Sequence, residues 1–239
     1  MPIKKMIQGF GAFHTQNFQE SDVYTHLVEH GQSPDTLVIA CADSRNDPAV
    51  LTCGEPGDIF VVRNVAAIVP PYTGPEALDG TSAAVEFGVK GLKVKNIVVL
   101  GHALCGGAEA LAKSTPAEPT GYPLLSSWLS VGTKTRDTIH TAFGDVSGEN
   151  RQIALEQGLI LNSLNNLMTY PWIKDAVVSK TLTLHGWYFD MVHGMLLGYD
   201  AYANDFVNIK TIENIPNANA QCGCSIEHFA KKRANDKAA

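Results

Sequence analysis

Short runs of apolar, mostly β-branched residues recur along the chain and end at polar or turn-forming residues. We predict strands at four of these runs, residues 36–40, 59–62, 96–100 and 181–184. Their hydrophobicity is continuous rather than alternating, which is typical of strands that are covered on both faces, as in a parallel sheet.

Stretches with helical periodicity lie between these runs. Residues 81–92 place their apolar side chains near one stripe, with Thr81 or Ser82 as the possible cap. Residues 153–168 repeat apolar positions at helical spacing and stop shortly before a proline. Because strands and helices alternate, we predict an α/β fold with a mostly parallel central sheet flanked by helices.

The two ends of the chain differ from this alternating part. Residues 1–30 predict one or two helices outside the sheet, an N-terminal helical arm. Residues 187–192 and 195–199 flank a His-Gly pair and predict a hairpin that adds a C-terminal edge strand. From about residue 214 onward the sequence becomes polar. We therefore expect a single domain over residues 1–213 and a polar C-terminal tail over residues 214–239.

Composition narrows the class of protein. The chain has 239 residues, of which 45% are hydrophobic and 18% charged, as in an ordinary globular domain. Its formal charge of -6 argues against nucleic-acid binding, which needs clustered Lys and Arg. We find no run of 18 apolar residues and no signal-peptide pattern, so we expect no membrane partner and a cytoplasmic location. Five cysteines are too sparse for a disulfide framework and favour metal ligands or reactive thiols.

Residues with metal-binding chemistry follow two of the predicted strands. Cys41 comes directly after residues 36–40, and His102 follows residues 96–100 with one glycine between. Sites in parallel sheets collect at the carboxyl ends of strands, where Cys105 can turn back toward the same point. Two thiolates and one imidazole select zinc or iron, and on tetrahedral zinc they leave one position open, as catalytic sites do.

Two motifs surround these residues, CxDSR beginning at Cys41 and HxxCGG beginning at His102. They resemble the signature of the beta-class carbonic anhydrase family. The resemblance continues through shorter segments and covers about residues 30 to 200. These segments are EPGD at 55–58, FVVRNV at 60–65, GTSAA at 80–84 and HGW at 185–187.

The resemblance implies a zinc enzyme. It assigns one Zn²⁺ per subunit to Cys41, His102 and Cys105, and a catalytic dyad to Asp43 and Arg45. The implied reaction is the reversible hydration of CO₂ to bicarbonate and a proton, by attack of zinc-bound hydroxide.

The resemblance also implies a substrate pocket of the plant-type subclass. Gln32, nine positions before Cys41, is similar to an amide that binds substrate at a dimer interface. Phe60, Val65 and Phe87 match the apolar wall of that pocket, and Gly106 belongs to the same substrate-binding set.

A second subclass of the family closes its site when bicarbonate binds. It uses a tryptophan, a glycine and a valine where this chain has Val38, Ala40 and Asn46. The resemblance therefore implies a constitutively open site.

The partners implied are CO₂ or bicarbonate and a second copy of the chain, at least as a homodimer, with a tetramer or octamer left open. Three alternatives stay open at this point. The same zinc site is compatible with hydrolysis of COS or CS₂, and the chain is also compatible with a non-catalytic zinc-binding regulatory or structural protein. A redox protein that uses Cys105 or the Cys222 and Cys224 pair is the third.

Overall fold

A computed structural model describes residues 1–76, 78–114, 121–144, 148–209 and 225–235. One six-stranded sheet organises these residues, in the spatial order β2-β1-β3-β4-β5-β6. The strands are β1 (Thr36–Cys41), β2 (Ile59–Asn64), β3 (Asn96–His102), β4 (Thr183–Asp190), β5 (Met195–Asp200) and β6 (Asp205–Asn208).

Strands β1 to β4 pair in parallel, whereas β5 pairs antiparallel with both β4 and β6. The chain adds β2 on one side of β1 and then β3 on the other side, so the winding reverses between β1 and β3. Sites in open α/β sheets form outside the carboxyl ends of the strands at such a reversal. The prediction of an α/β fold with a mostly parallel central sheet is confirmed.

Helices cover the sheet and precede it. The α-helices are α1 (Ile3–His14), α2 (Val23–His30), α3 (Pro48–Thr52), α4 (Gly80–Glu86), α5 (Gly106–Lys113), α6 (Pro123–Leu129), α7 (Thr133–Phe143), α8 (Glu149–Leu167), α9 (Pro171–Val178) and α10 (Ile226–Asn235). Both α1 and α2 bury none of their residues. None of the helices in the described ranges is long and apolar enough to cross a bilayer.

Each face of the sheet packs in its own apolar cluster. Leu37, Ile39 and Val99 face the larger cluster, which includes much of α8. The alternate residues, Val38 and Leu100 among them, face a smaller cluster. Strands β1 and β3 are therefore buried on both faces, as their continuous hydrophobicity predicts.

The predicted strands at 181–184 and 187–192 form one continuous strand, β4 (Thr183–Asp190). The glycine between them, Gly186, is not a turn but a point of close packing, since a Cβ there would lie 3.0 Å from Ile160 and Leu164 of α8. The hairpin between β4 and β5 is confirmed, but β5 is not the edge strand because β6 pairs with its outer side.

The last helix, α10, lies in the segment expected to be a polar tail. Its largest apolar residue, Phe229, is 0% exposed and packs in the main core with α7 and α8 as neighbouring helices. Arg233 of the same helix forms an ion pair of 2.7 Å with Asp205 in β6. One buried aromatic ring in a polar segment gives almost no periodic signal, which is why the sequence did not predict this helix. Cys222 and Cys224 lie outside the described residues.

We expect Phe229→Ala to lower the free energy of unfolding by about 3–5 kcal/mol, because it empties a fully buried aromatic site. Urea denaturation measures this loss. Lys231→Ala, at an exposed position of the same helix, is the matched control and should change stability by less than about 0.5 kcal/mol. Equal stabilities of the two variants would contradict the packing of α10 on the core.

Candidate metal centre

Three metal-ligand side chains meet at the carboxyl ends of β1 and β3. Cys41 is the last residue of β1, His102 is the last residue of β3, and Cys105 caps the N-terminus of α5. Their ligand atoms all lie within 4.8 Å of one another, and the two sulfur atoms are 3.9 Å apart. All three residues are buried. It is the only group of three or more such ligands in the described ranges.

The imidazole of His102 is oriented by the backbone. Its Nδ1 lies 2.8 Å from the carbonyl oxygen of Ala103, so Nδ1–H donates and Nε2 keeps its lone pair. Nε2 is buried and has no hydrogen-bond partner in the described part of the chain. A backbone carbonyl that fixes the ring in this way is a recurrent feature of metal-ligating histidines.

The donor set fits a tetrahedral zinc ion. Two sulfur ligands on tetrahedral zinc lie about 3.8 Å apart, given Zn–S bonds of about 2.3 Å. The observed sulfur separation of 3.9 Å matches this value. The unpartnered Nε2 of His102 would supply the nitrogen ligand that completes a Cys₂His set.

Ionisation of the two thiols is linked. A hydrogen bond from the Cys105 thiol, against the effect of burial, lowers the pKa of Cys41 to about 4. The same bond, together with burial, raises the pKa of Cys105, because two thiolates this close in a buried site repel each other. A divalent cation removes that repulsion, so metal binding would release the remaining proton.

A strained turn brings Cys105 back toward the other two residues. Leu104 has a φ of +58°, in the left-handed region that non-glycine residues rarely adopt, and its carbonyl oxygen accepts a 3.3 Å hydrogen bond from Arg45. Two residues after Cys105, a Cβ at Gly107 would lie 2.7 Å from Val65, so glycine allows α5 to begin this close to the end of β2.

Arg45 donates three hydrogen bonds to the carboxylate of Asp43. Its Nε and backbone N–H donate to Oδ1 at 2.9 Å, and its Nη2 donates to Oδ2 at 2.7 Å. These bonds hold the pKa of Asp43 well below its usual range. Asp43 Oδ2 still lies 4.0 Å from His102 Nε2, so the carboxylate borders the metal group while it is engaged by Arg45.

A second arginine fixes the loop that carries this dyad. Arg63 at the end of β2 donates to the carbonyl oxygens of Cys41 at 3.2 Å and Asp43 at 2.6 Å. It also pairs with the carboxylate of Asp47 at 2.9 Å. Arg63 therefore contacts the loop backbone, in a positioning role.

The residues expected in the substrate pocket are only partly brought together in one chain. Val65 packs beside α5 next to Gly107, and Gly106 is the first residue of that helix. Phe60 and Phe87 contact each other with ring centroids 5.8 Å apart, although Phe87 is 52% exposed. Gln32 is exposed after α2, and no hydrogen bond joins it to the metal group among the residues that the structure describes.

A protein-family model described as carbonic anhydrase matches residues 36–196 of this chain. The chain belongs to the beta-carbonic anhydrase family. The match includes the whole candidate metal centre and both motifs from which the family was predicted.

Individual comparisons agree with this membership. The chain is 35% identical over 206 residues to a carbonic anhydrase of Synechocystis sp., a match that covers 86% of this chain and 74% of the relative. It is 38% identical over 188 residues to beta carbonic anhydrase 5, chloroplastic, of Arabidopsis thaliana, covering 78% of this chain and 61% of that protein. The solved structure of the beta-carbonic anhydrase CcaA superposes with a TM-score of 0.82, at 33% identity and with 91% and 96% of the two chains covered. The predicted family and enzyme class are confirmed.

The structure of this beta-carbonic anhydrase family member adds a buried carboxylate that the sequence did not single out. Glu156 of α8 accepts hydrogen bonds from the backbone N–H of Cys105 at 2.9 Å, from Gln152 at 2.9 Å and from the Tyr188 hydroxyl at 2.7 Å. Burial raises the pKa of Glu156 despite these donors. A glutamate in a helix ordinarily faces solvent, so only the tertiary contact with Cys105 reveals its role.

We expect Glu156→Leu to destabilise the protein and, in protein loaded with zinc, to accelerate loss of the ion to a chelator. The leucine leaves the buried donors of Cys105 and Tyr188 without an acceptor, at about 1–3 kcal/mol each. Glu156→Gln keeps an acceptor oxygen for Cys105 and should change both quantities less. Urea denaturation and the rate of zinc transfer to a chelator measure the two effects.

Glu149→Gln, at an exposed position of the same helix, controls for general effects on α8. If Glu156→Leu retained metal as well as this control does, Glu156 would have no part in positioning Cys105.

Proposed function

We propose that this chain catalyses the reversible hydration of CO₂ to bicarbonate and a proton, with one Zn²⁺ held by Cys41, His102 and Cys105. The observation that carries the proposal is the convergence of three buried ligand atoms beside a carboxylate that is held by an arginine. Three protein ligands leave one tetrahedral position for water or substrate, whereas structural zinc sites normally use four.

Zinc in this site would lower the pKa of a water molecule and so supply a nucleophile. Because two thiolates neutralise the ion, the pKa of that water would stay above the value of about 7 found at three-histidine sites. Asp43 is placed to accept a hydrogen bond from that nucleophile and to orient its lone pair. Arg45 keeps the Asp43 carboxylate ionised and turned toward itself by its paired hydrogen bonds. These two residues are the proposed catalytic dyad.

The site is proposed to stay open. Arg45 engages both oxygens of Asp43, and Asn46 fixes the following loop, since its side chain is buried and donates to the carbonyl oxygen of Leu100 at 3.2 Å. Val38 and Ala40 occupy the positions of the bulky and small residues that the bicarbonate-closed subclass uses. Asp43 therefore has a fixed partner other than the metal.

The substrate wall is proposed to be completed by a second copy of the chain. Phe60, Val65 and Phe87 offer an apolar surface suited to CO₂, and two of them remain substantially exposed in a single chain. Gln32 is exposed and, among the described residues, makes no hydrogen bond to the metal group of its own chain, which agrees with an amide that serves the pocket of a partner. The amide N–H would stabilise the charge that develops on bicarbonate, and Gly106 borders the same space.

The N-terminal helix supplies a surface for this self-association. Ile3, Met6, Ile7 and Phe10 form a stripe at helical spacing on α1, and each is at least half exposed. Exposed apolar stripes of this kind mark interfaces between proteins. We propose a homodimer as the minimal unit, with tetramers or octamers as further assemblies of it.

We also propose that the protein works in a reducing compartment such as the cytoplasm. The two ligand thiols lie close enough to be harmed by oxidation and must stay reduced to bind metal. One relative is named as chloroplastic. The cytoplasmic location is therefore proposed for this chain and not for that relative.

We expect Asp43→Asn to bind zinc at wild-type stoichiometry but to hydrate CO₂ about 10- to 100-fold more slowly, because it removes the orienting carboxylate and leaves the ligands intact. Cys105→Ser should instead lose zinc and activity together. Elemental analysis and stopped-flow CO₂ hydration measure both quantities. Asp35→Asn, at an exposed aspartate paired with Lys95, is the control. Full activity of Asp43→Asn would remove this residue from the mechanism, and a metal-free active enzyme would refute the proposed function.

We expect Ile7→Asp to convert the dimer into monomers, because it places a charge in the centre of the α1 stripe. Since Ile7 is 68% exposed in one chain, the stability of the monomer should not fall. Sedimentation velocity measures the assembly, and circular dichroism measures the fold. Gln8→Asp, at the adjacent exposed position, is the control for added charge. A dimer that survives Ile7→Asp would show that α1 is not part of the interface.

A further inference from the structure

Helix α2 carries two histidines one helical turn apart, at His26 and His30. Both side chains are exposed, and their rings stack with centroids 4.3 Å apart at an angle of 25°. Residues four positions apart lie on the same face of a helix. Among the eight histidines of the sequence, this is the only pair with that spacing.

The ring of His30 is already fixed by a backbone hydrogen bond. Its Nδ1 lies 3.1 Å from the carbonyl oxygen of His26, so Nδ1–H donates and Nε2 keeps its lone pair for another partner. Metal-ligating histidines use this arrangement, in which a carbonyl oxygen holds one ring nitrogen and the other binds the ion.

The helix that presents the pair is anchored to the body of the protein. Leu27 packs on the loop before β2 so closely that a Cβ at Gly57 would lie 2.7 Å from its Cδ2 atom. This contact restrains the turn of α2 between His26 and His30 before any ligand binds. Two ligands on an anchored backbone lose less freedom on chelation than two ligands on a flexible segment.

We propose that His26 and His30 form a second metal site, a surface chelate for a borderline divalent cation such as Ni²⁺, Cu²⁺ or Zn²⁺. Two imidazole nitrogens bind such ions at about 2.0–2.1 Å, and small rotations of exposed stacked rings bring both lone pairs to one point. The i, i+4 histidine pair on one helix face is the geometry with which zinc-binding helices hold their ion. Water fills the remaining positions, and the exposed Glu29 stands one turn from His26 on the same helix.

This site differs in kind from the candidate metal centre. Its two ligands are exposed nitrogens, whereas Cys41, His102 and Cys105 are buried and include two thiols. A two-histidine chelate binds reversibly and follows the usual order of affinity, with Cu²⁺ above Ni²⁺ and Zn²⁺. It can therefore be loaded while the buried site keeps its zinc.

The test uses the full-length zinc-loaded protein, without any polyhistidine tag, titrated with Ni²⁺ in a calorimeter. Cys222→Ser and Cys224→Ser are present in every variant, because this thiol pair could also bind the ion. We expect one Ni²⁺ per chain in this background. His26→Gln or His30→Gln should weaken binding by about 100-fold, because chelation by the second imidazole is lost.

His14→Gln is the matched control, since His14 is also exposed and stacks on an aromatic ring, Phe18, without a second histidine one turn away. It should bind Ni²⁺ as the background does. Equal Ni²⁺ affinity in the His30→Gln variant and the background would overturn the proposal, and so would the absence of binding in the background. CO₂ hydration by the Ni²⁺-free variants should match the background, which separates this site from the proposed function.

Discussion

The reversal of winding between β1 and β3 is the constraint on which the rest of the structure depends. It leaves the carboxyl ends of two adjacent parallel strands free of a crossing connection, and the register that pairs Ala40 with Leu100 sets Cys41 and His102 at that opening. Backbone hydrogen bonds of the sheet therefore determine where two ligands lie. The position of Cys105 depends instead on a turn, which the left-handed backbone conformation of Leu104 provides. Such preorganisation lets a metal bind without reordering the core.

Groups from several elements balance the charge near the carboxyl ends of β1 and β3. The two sulfur atoms repel when both are ionised, and Arg45 and Arg63 bring positive charge to the loop after Cys41. On the opposite side of Cys105, Glu156 accepts the backbone N–H of that residue from within the core. A buried carboxylate with three donors is costly to place, but once satisfied it holds the turn in one conformation. The same hydrogen-bond network therefore satisfies buried groups of the core and positions Cys105 in the candidate metal centre.

The sequence predicts the parts of the molecule that depend on local pattern. Strands β1 and β3 are continuous apolar runs, and polar ligands directly after such runs indicate a site at strand ends. The sequence does not correctly predict elements that are held by contacts between distant segments. The runs at 181–184 and 187–192 suggest two strands, yet they form one, and Gly186 between them is the point where α8 approaches β4. Helix α10 is held by the buried Phe229 and by the ion pair between Arg233 and Asp205, and Glu156 is indistinguishable from a solvated helix residue without its contact with Cys105. Contacts between distant segments leave no periodic trace in a single sequence.

Assembly and chemistry are coupled in the proposed function, because one chain leaves its CO₂-binding wall open to water. Phe87 is 52% exposed and Val65 is 37% exposed, so a single chain offers an apolar surface and not a dry pocket. The exposed stripe of α1 lies in the N-terminal arm, and Gln32 follows that arm directly; no residue of α1 or α2 is fully buried in a single chain. An arm that leaves this much apolar surface exposed gains further stability by packing on another surface. If that surface is the second copy, the contact that forms the dimer also removes water from the site.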